Sequence, residues 1–297
     1  MLVLDEERVR AVLSYDELIP AMRRALMEFS AGRVMQPVRT VMRVAEHGGW
    51  FATMPAVCGG VMGAKLVTFY PGNAGTGRHT HDAVIQLFSA ETGEPLAVMD
   101  GRLITEMRTA AVSAVAVDVL ASRYATTLAI LGSGVQARAH VKALSRVRSF
   151  TEKRVWTRTR ERAQRFADDV GARVCGVEEA VDGADVVLTL TSATEPVLEG
   201  RWLSEETMVC AVGAVTPERR ELDDEAMRGA VVVESREAAQ REPGDIVSSG
   251  AQITAELGEL LAERERGKLR GPVVFKSVGI AVEDVAAARL VWEKSAG

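Results

Sequence analysis

The segment LAILGSGVQARAH, residues 128–140, decides the fold class of this chain. A short apolar run leads into Gly132, Ser133 and Gly134, and an apparent helix begins directly after them. The spacing Gly132-x-Gly134-x-x-Ala137 matches the glycine fingerprint of dinucleotide-binding βαβ units, with alanine in the third small position. The segment therefore predicts a strand, a tight turn and a helix that together bind a dinucleotide.

Each small residue of this turn has its own physical task. Gly132 permits the sharp turn out of the strand, Gly134 lets the backbone approach a pyrophosphate, and Ala137 lets the helix pack closely on the sheet. The first N–H groups of the helix then face the phosphates. A tight turn without a ligand is the alternative, but the strand before it and a second strand KRVWTR, residues 153–158, favour the dinucleotide.

Short apolar runs alternate with helical segments from Thr127 onward. Such continuous apolar strands suit a parallel sheet that is covered by helices on both faces. We therefore predict the α/β fold class, with a Rossmann-type doubly wound parallel sheet over residues 118–279. The strand runs are TTLAILG, KRVWTR, ARVCG, ADVVLTLTS, TMVCAVGA and AVVVES.

The first part of the chain has a different pattern. Apolar residues at helical spacing predict a helix over residues 6–31, and several short strands follow, including a hairpin with its turn at residues 91–94. An alanine-rich helix over residues 105–122 leads into the second domain. Residues 275–297 predict a helix that packs back onto the first part.

Length and charge limit the class of protein. The 297 residues are enough for two domains, and we expect the smaller, an α+β domain, at residues 1–117, completed by a C-terminal helix at 280–297.

The net charge of −5 argues against binding nucleic acid. No apolar run is long enough to span a membrane, and the acidic first positions argue against a signal peptide, so a cytoplasmic location is expected.

The end of the second strand bears on the choice of dinucleotide. An acidic residue at this point binds the adenosine ribose and favours NAD, but the stretch Trp156-Thr157-Arg158-Thr159-Arg160 has none. Hydroxyl and guanidinium groups suit a 2′-phosphate. We therefore predict NADP(H) as the preferred cofactor and leave NAD(H) open; the alternative is that both arginines are solvated charges.

No residue pattern predicts a metal site. Cys58, Cys175 and Cys210 are far apart in sequence and lack the spacing of metal ligands. His79 and His81 are close together, but no third group of ligands supports them.

Three basic residues of the first domain are candidates for chemistry. Lys65 interrupts an apolar segment, so it either points to water from an edge or is a buried functional amine. Arg108 lies on a helix face of small residues, where a charge needs a partner such as a substrate carboxylate. Arg43 alternates out of a strand and, on composition alone, faces solvent.

Nine segments, spread over almost the full chain, follow the pattern of a known family. The segments are KLVTFYPGN (65–73), TGEPLAVMDGRLIT (92–105), RTAAVSA (108–114), GSGVQA (132–137), VWTRTRERAQRFA (155–167), TSATEPVL (191–198), AVGAVTPERRELDDEAM (211–227), SREAAQREPGDIVSSGAQITAELGEL (235–260) and FKSVGIAVEDVAAA (275–288). With these segments the chain resembles the ornithine cyclodeaminase/mu-crystallin family. Within the family, the pattern is most similar to that of the mu-crystallin ketimine reductases.

The resemblance implies a two-domain protomer with its active site in the cleft between the domains, and a homodimer formed through the substrate-binding domains. It places Lys65 and Arg108 at the reacting centre, with Arg43 as a third group that holds the substrate carboxylate. His81 is a further substrate-side candidate. The cofactor-side candidates are Thr80, Thr109, Gly132, Gly134, Val135, Gln136, Thr157, Arg158, Thr159, Thr191, Val212 and Gly213.

One departure from the family pattern narrows the activity. The cyclodeaminases carry an aspartate in the loop where this chain has Val215, and valine can neither transfer a proton nor bind an ammonium group. The resemblance then implies reduction of a cyclic ketimine carboxylate, such as 1-piperideine-2-carboxylate or 1-pyrroline-2-carboxylate, to a cyclic L-amino acid. An amino-acid dehydrogenase or N-alkyl amino acid-forming enzyme acting on an open-chain imine, a cyclodeaminase, and a low-turnover NADPH and small-ligand binding protein are the alternatives.

Overall fold

The computed structural model describes residues 1–263, 269 and 271–296. The chain divides into two compact units, unit 1 with Met1–Arg108 and Gly279–Gly297 and unit 2 with Thr109–Val278. The dividing point lies inside a helix, and the boundary predicted at residues 117–118 lies further along that helix. The functions expected of the two domains stay predictions.

Helices and strands follow one another without a regular order in about the first third of the chain. In the rest of the chain, strands mostly alternate with helices. The first third holds β1 (Leu2–Leu4), α1 (Glu6–Val12), α2 (Tyr15–Ser30), β2 (Thr40–Val44), β3 (Gly49–Cys58), β4 (Val61–Phe69), β5 (His81–Ser89), β6 (Pro95–Asp100) and α3 (Gly101–Leu120). The rest holds β7 (Thr127–Leu131), α4 (Val135–Leu144), β8 (Glu152–Trp156), α5 (Arg160–Val170), β9 (Arg173–Val174), α6 (Val177–Val181), β10 (Val186–Thr189), β11 (Met208–Ala211), β12 (Ala230–Val233), α7 (Arg236–Ala239), α8 (Gly244–Val247), β13 (Ile253–Glu256), α9 (Leu257–Glu263), β14 (Val273–Lys276) and α10 (Ala281–Ala296).

Unit 1 is a mixed sheet with helices on one face. The strand order is β1-β6-β5-β4-β3-β2, and the described pairs are antiparallel except that β1 runs parallel to β6. α10 packs against α2 and against β3, β4 and β5. The apolar side chains of this core come from both layers, because alternate residues of each strand face the helices. They include Leu18, Met22, Leu26, Ile85, Leu87, Val285 and Ala288.

Two helix predictions need correction. The helix predicted over residues 6–31 is two helices, because Leu13 is extended and Ser14 starts a new helix with its hydroxyl 2.7 Å from Glu17 Oε2. This Ser-x-x-Glu spacing is a start signal that the apolar periodicity concealed. The C-terminal helix begins at Ala281 rather than at Phe275, because residues 273–276 form β14, which pairs with β11 and β12.

Unit 2 is a parallel sheet with the order β13-β12-β14-β11-β10-β7-β8-β9, which confirms the predicted Rossmann-type fold class. β8 and β9 lie on one side of β7, and β10 and β11 lie on the other. The chain order therefore reverses beside β7, and a ligand of such a sheet binds outside the carboxyl ends of the strands at this point. None of the described helices has the length and hydropathy needed to cross a membrane.

Candidate active site

A buried ion-pair cluster lies between the sheet and the last helix of unit 1. Lys65 is in β4, on the face that α10 covers, and its side chain is 2% exposed. Its Nζ lies 2.7 Å from Oδ2 of Asp284, in the first turn of α10. The sequence left open whether Lys65 faces water or is buried, and the structure places it in the interior beside a carboxylate.

Arg108 shares this carboxylate. Its Nε donates to Oδ1 of Asp284 at 2.9 Å, and its Nη1 donates to Oε2 of Glu283 at 2.7 Å. Gly279 packs against the guanidinium, and a Cβ there would lie 2.5 Å from Nη1 of Arg108. Gly279 also has a φ of +73°, so both its backbone and its surroundings require glycine. The predicted partner of Arg108 was a substrate carboxylate, and the structure supplies two carboxylates from the chain itself.

The cluster shifts the protonation of its members. Burial lowers the pKa of Lys65 from 10.5 to about 8, with Asp284 acting against the decrease and Arg108 and Arg39 adding to it. Burial opposes ionisation of Asp284, but Arg108 and Lys65 outweigh it and hold the pKa of Asp284 below its usual value. Burial, followed by the charges of Lys65 and Arg108, lowers the pKa of His81 to about 4. Near pH 7 the histidine is therefore neutral.

Arg39 is a second arginine, beside Arg108, whose charge acts on Lys65, and the sequence reasoning missed it. Arg39 lies just before β2, and its Nη2 donates to the carbonyl of Gly279 at 2.6 Å. Arg43 is exposed, with its guanidinium carbon 5.4 Å from the ring centre of Trp50. The substrate role of Arg43 stays a prediction, and the structure makes Arg39 the stronger candidate. Strand alternation alone does not distinguish two arginines four positions apart.

The glycine turn of unit 2 has the geometry that its residue types predict. Gly132 follows β7 with a φ of +122°, and a Cβ there would lie 2.6 Å from the carbonyl oxygen of Leu190. Gly134 is the N-cap of α4, and a Cβ there would meet nothing within 4 Å. Gly132 is thus required by the protein's own packing, whereas Gly134 leaves open space beside the backbone.

This turn fits a dinucleotide phosphate. The N-cap residue of α4 is Gly134, which has no side chain to cap the helix, so the first N–H groups and the positive end of the helix dipole face the open space there. The side-chain oxygen of Gln136 is buried and has no hydrogen-bond partner among the described residues; a hydroxyl of a ribose, rather than a phosphate oxygen, could donate to it. Val135 is 58% exposed in the same first turn.

The other cofactor candidates of unit 2 follow neighbouring strands. Thr157, Arg158 and Thr159 follow β8, with Arg158 exposed. Thr191 follows β10, and residues 212–213 follow β11. The carboxyl ends of parallel strands meet at one edge of a sheet, so these candidates share the edge at which Gly132 turns.

A buried glutamate that the sequence reasoning missed joins two of these loops. Glu221 accepts hydrogen bonds from the N–H and hydroxyl of Thr191 and from the N–H of Gly213. Thr191 and Gly213 precede it by 30 and 8 residues. Nothing in the local sequence marks this contact.

The remaining candidates have varied surroundings. Thr80 is half-buried in unit 1, and its carbonyl accepts from the N–H of Tyr70 at 2.8 Å. Thr109 is a buried residue of α3 in unit 2. Val215 is 38% exposed in the loop after β11. Among the described residues, no group of three or more His, Cys, Asp or Glu could hold a metal ion.

Comparison with known proteins decides the family. The model of the ornithine cyclodeaminase/mu-crystallin family matches residues 1–297. This chain belongs to that family. Ketimine reductase mu-crystallin of Mus musculus is 50% identical over 285 residues, which cover 93% of this chain and 91% of that protein.

Two solved structures of similar proteins share the fold over the whole chain. Thermococcus litoralis Δ1-pyrroline-2-carboxylate reductase in complex with NADH and L-proline is 35% identical, with a TM-score of 0.94 over 100% of this chain and 98% of that chain. An archaeal alanine dehydrogenase dimer with bound NAD is 32% identical, with a TM-score of 0.94 over 100% and 96%. The family resemblance and the fold class predicted from sequence are both confirmed.

Proposed function

We propose that this chain is an NAD(P)H-dependent imine reductase that acts on a cyclic ketimine carboxylate, 1-piperideine-2-carboxylate or 1-pyrroline-2-carboxylate, and forms a cyclic L-amino acid. The observation that carries the proposal is the buried cluster of Lys65, Arg108 and Asp284 in a member of this family. The related ketimine and pyrroline-carboxylate reductases support the reaction class.

The charges of the cluster favour an anionic substrate. Lys65, Arg108 and Arg39 carry three positive charges, against two negative charges on Asp284 and Glu283. His81 adds none near pH 7, because its pKa is about 4. The charges of these basic side chains would stabilise a substrate carboxylate bound beside them. A bound carboxylate would also orient the ring, which is a large part of catalysis in such reactions.

Lys65 is the proton source for the imine nitrogen. A ketimine accepts hydride much more readily as the protonated iminium, so a general acid must hold a proton near neutral pH. With a pKa of about 8, the Nζ of Lys65 is mostly protonated at pH 7 but releases its proton more readily than an ordinary lysine. The Oδ2 of Asp284, 2.7 Å away, keeps the ammonium in place.

The residues of the glycine turn would hold the dinucleotide. Gly134, Val135 and Gln136 would take the pyrophosphate, while Thr191 and Gly213 would lie beside the nicotinamide half. The bound nicotinamide supplies the hydride. For the adenosine half we favour NADP(H), because the exposed Arg158 between two threonines suits a 2′-phosphate; NAD(H) stays open because the T. litoralis relative is in complex with NADH.

The test is steady-state oxidation of NADPH with both cyclic ketimines, with NADH in parallel. Rapid oxidation with either ring supports the proposal and ranks the two cofactors. No oxidation with either ketimine, in a protein that still binds NADPH, would contradict it.

An open-chain imine is the second candidate substrate. The similarity to the archaeal alanine dehydrogenase favours it, because the same positive cluster would hold the carboxylate of a 2-imino acid. Pyruvate with ammonia is the direct probe. Turnover of this pair in preference to the cyclic ketimines would make the chain an amino-acid dehydrogenase. Val215 continues to disfavour ornithine cyclisation.

We further propose a homodimer formed through the sheet of unit 1. Met42, Leu66 and Val84 are 52%, 42% and 46% exposed, and they share the sheet face opposite Lys65, away from α10. These exposed apolar side chains suit an interface, and the archaeal relative is a dimer. Sedimentation of the purified chain would test the dimer, and a monomer would contradict it.

The cytoplasm stays the predicted compartment.

A further inference from the structure

Four hydrogen bonds converge on one buried carboxylate in unit 2. The Oε1 of Glu221 accepts from the N–H of Thr191 at 2.6 Å and from its hydroxyl at 2.7 Å. The Oε2 accepts from the hydroxyl of Thr189 at 2.8 Å and from the N–H of Gly213 at 2.6 Å. Glu221 is fully buried. It therefore joins the end of β10 and the loop after it to the loop after β11.

We propose that Glu221 is a positioning residue for the dinucleotide, since its carboxylate sets the shape of the two loops that receive the nicotinamide half. This inference rests on the proposed function. Glu221 acts through the loops it holds, and the groups that would touch the ligand belong to Thr191 and Gly213.

The backbone at Glu221 is itself held in place by hydrogen bonds to a second buried carboxylate. Asp245, in α8, accepts hydrogen bonds from the backbone N–H groups of Glu221 and Leu222 at 2.8 and 3.0 Å. Its Oδ2 lies 2.9 Å from Nζ of Lys276 in β14, and both side chains are fully buried. A path of ion pair and hydrogen bonds thus connects a central strand of the sheet, through Asp245 and Glu221, to the loops at the sheet edge.

Close packing leaves these loops little freedom. A Cβ on Gly213 would lie 2.5 Å from Oε1 of Glu221 and would also collide with the carbonyl oxygen of Thr191. The backbone of Gly213 therefore approaches the loop after β10 as closely as a peptide can. Both loops are therefore in direct contact with the Glu221 carboxylate.

The loops lie on the side of the sheet where the nicotinamide half would bind. By the general rule for such sheets, the glycine turn after β7 would take the pyrophosphate, and the adenosine half would bind over β8. β10 and β11 lie on the opposite side of β7 from β8. Loss of Glu221 should therefore weaken contacts with the nicotinamide half and spare those with the adenosine half.

The substitution Glu221→Gln tests this at nearly constant volume. In the wild type, each carboxylate oxygen of Glu221 faces a backbone N–H group, which can only donate. The amide of the glutamine presents one oxygen and one NH₂ group at the same two places. Whichever way the amide turns, its NH₂ opposes the N–H of either Thr191 or Gly213, and one loop loses its anchor. Glu218→Gln is the matched control, because Glu218 is exposed three positions earlier.

Binding is measured by titration calorimetry with NADPH, NADH, 2′,5′-ADP and 5′-AMP. For Glu221→Gln we expect the Kd of the complete dinucleotide to increase by about tenfold or more, with the Kd of the adenosine fragments unchanged within about twofold. Glu218→Gln should bind all four probes like the wild type. Wild-type affinity for NADPH and NADH in Glu221→Gln would overturn the inference while leaving the proposed function intact.

A second variant covers the case in which Glu221→Gln fails to fold or loses all four probes equally. Thr189→Val removes one of the four donors, keeps the side-chain volume and leaves both loop N–H groups on Glu221. A selective weakening of NADPH or NADH, smaller than that expected for Glu221→Gln, would support the inference; equal effects on dinucleotides and fragments, or no effect, would overturn it. A wild-type chain that binds neither NADPH nor NADH would refute the proposed function and the inference together.

Discussion

Removal of the carboxylate between Lys65 and Arg108 should move the pH range in which the enzyme works. Asp284→Asn keeps the shape of the side chain but removes the charge 2.7 Å from Nζ of Lys65. That charge raises the pKa of Lys65 against the effects of burial, Arg108 and Arg39. Without it the pKa of Lys65 must decrease from about 8.

The size of the decrease follows from the contact. An opposite charge at this range shifts a pKa by about 1–3 units, so the pKa of Lys65 should decrease to roughly 5–7 in Asp284→Asn. With the middle value of about 6, the protonated fraction at pH 7.5 falls from about three-quarters to about 3%. If Lys65 protonates the imine, kcat at pH 7.5 should fall by about 25-fold and recover as the pH is lowered.

The assay is the pH dependence of kcat for ketimine reduction, with Asp182→Asn as the exposed control of the same charge change. The wild type and the control should lose activity on the alkaline side at the same pH, and Asp284→Asn should lose it about two units lower. A uniform decrease in kcat with an unmoved alkaline limb would refute the acid role of Lys65. Urea unfolding accompanies the assay, because breaking a buried ion pair costs about 3–5 kcal/mol.

Three further changes test separate parts of the account. Arg39→Ala should raise the KM for a ketimine carboxylate by about tenfold or more, because it removes a charge from the buried cluster. Arg43→Ala should change the KM little. A large increase in KM for Arg43→Ala and a small one for Arg39→Ala would restore Arg43 as the carboxylate ligand. Arg158→Asp should weaken NADPH by about 10–100-fold and NADH much less, and equal losses in binding titrations would remove its 2′-phosphate role. His140 is fully buried, and burial lowers its pKa from 6.5 to about 4, so the unfolded chain binds more protons in that window and the stability decreases as the pH falls through it. Between pH 7 and pH 5, protonation linked to His140 lowers the free energy of unfolding by about 2 kcal/mol. Urea unfolding should therefore show a smaller decrease in stability over this pH range for His140→Gln than for the wild type, and the wild-type decrease for the exposed control His47→Gln. A decrease in His140→Gln equal to that of the wild type would contradict this.

Local patterns were enough to predict the parts of the fold that depend on local chemistry. The turn at Gly132 and Gly134 follows from backbone geometry alone, and the alternating apolar runs predicted the parallel sheet. The error at residues 6–31 arose because two consecutive helices, separated only by Leu13 and Ser14, read as one. β14 was missed for a similar reason, since only residues 277–280 separate it from a true helix and its strand partners are distant in sequence.

The site was harder to predict because its partners are far apart in sequence. The burial of Lys65 and the need of Arg108 for a partner could be stated as alternatives, but the partner, Asp284, is 176 residues away from Arg108. Arg39 and Glu221 were missed because no local spacing marks them. Both act through tertiary contacts, with the Gly279 carbonyl in one case and with two loops in the other.

The most direct test of the central claim is the position of the transferred hydrogen. The chain is incubated with 1-piperideine-2-carboxylate and NADPH that carries deuterium on both hydrogens at C4 of the nicotinamide, and the product is analysed by NMR and mass spectrometry. We predict L-pipecolate with one deuterium at Cα, and the equivalent proline when the five-membered ketimine is used. Pipecolate without deuterium at Cα, or unchanged ketimine beside a protein that binds NADPH, would contradict the assignment of this chain as an imine reductase.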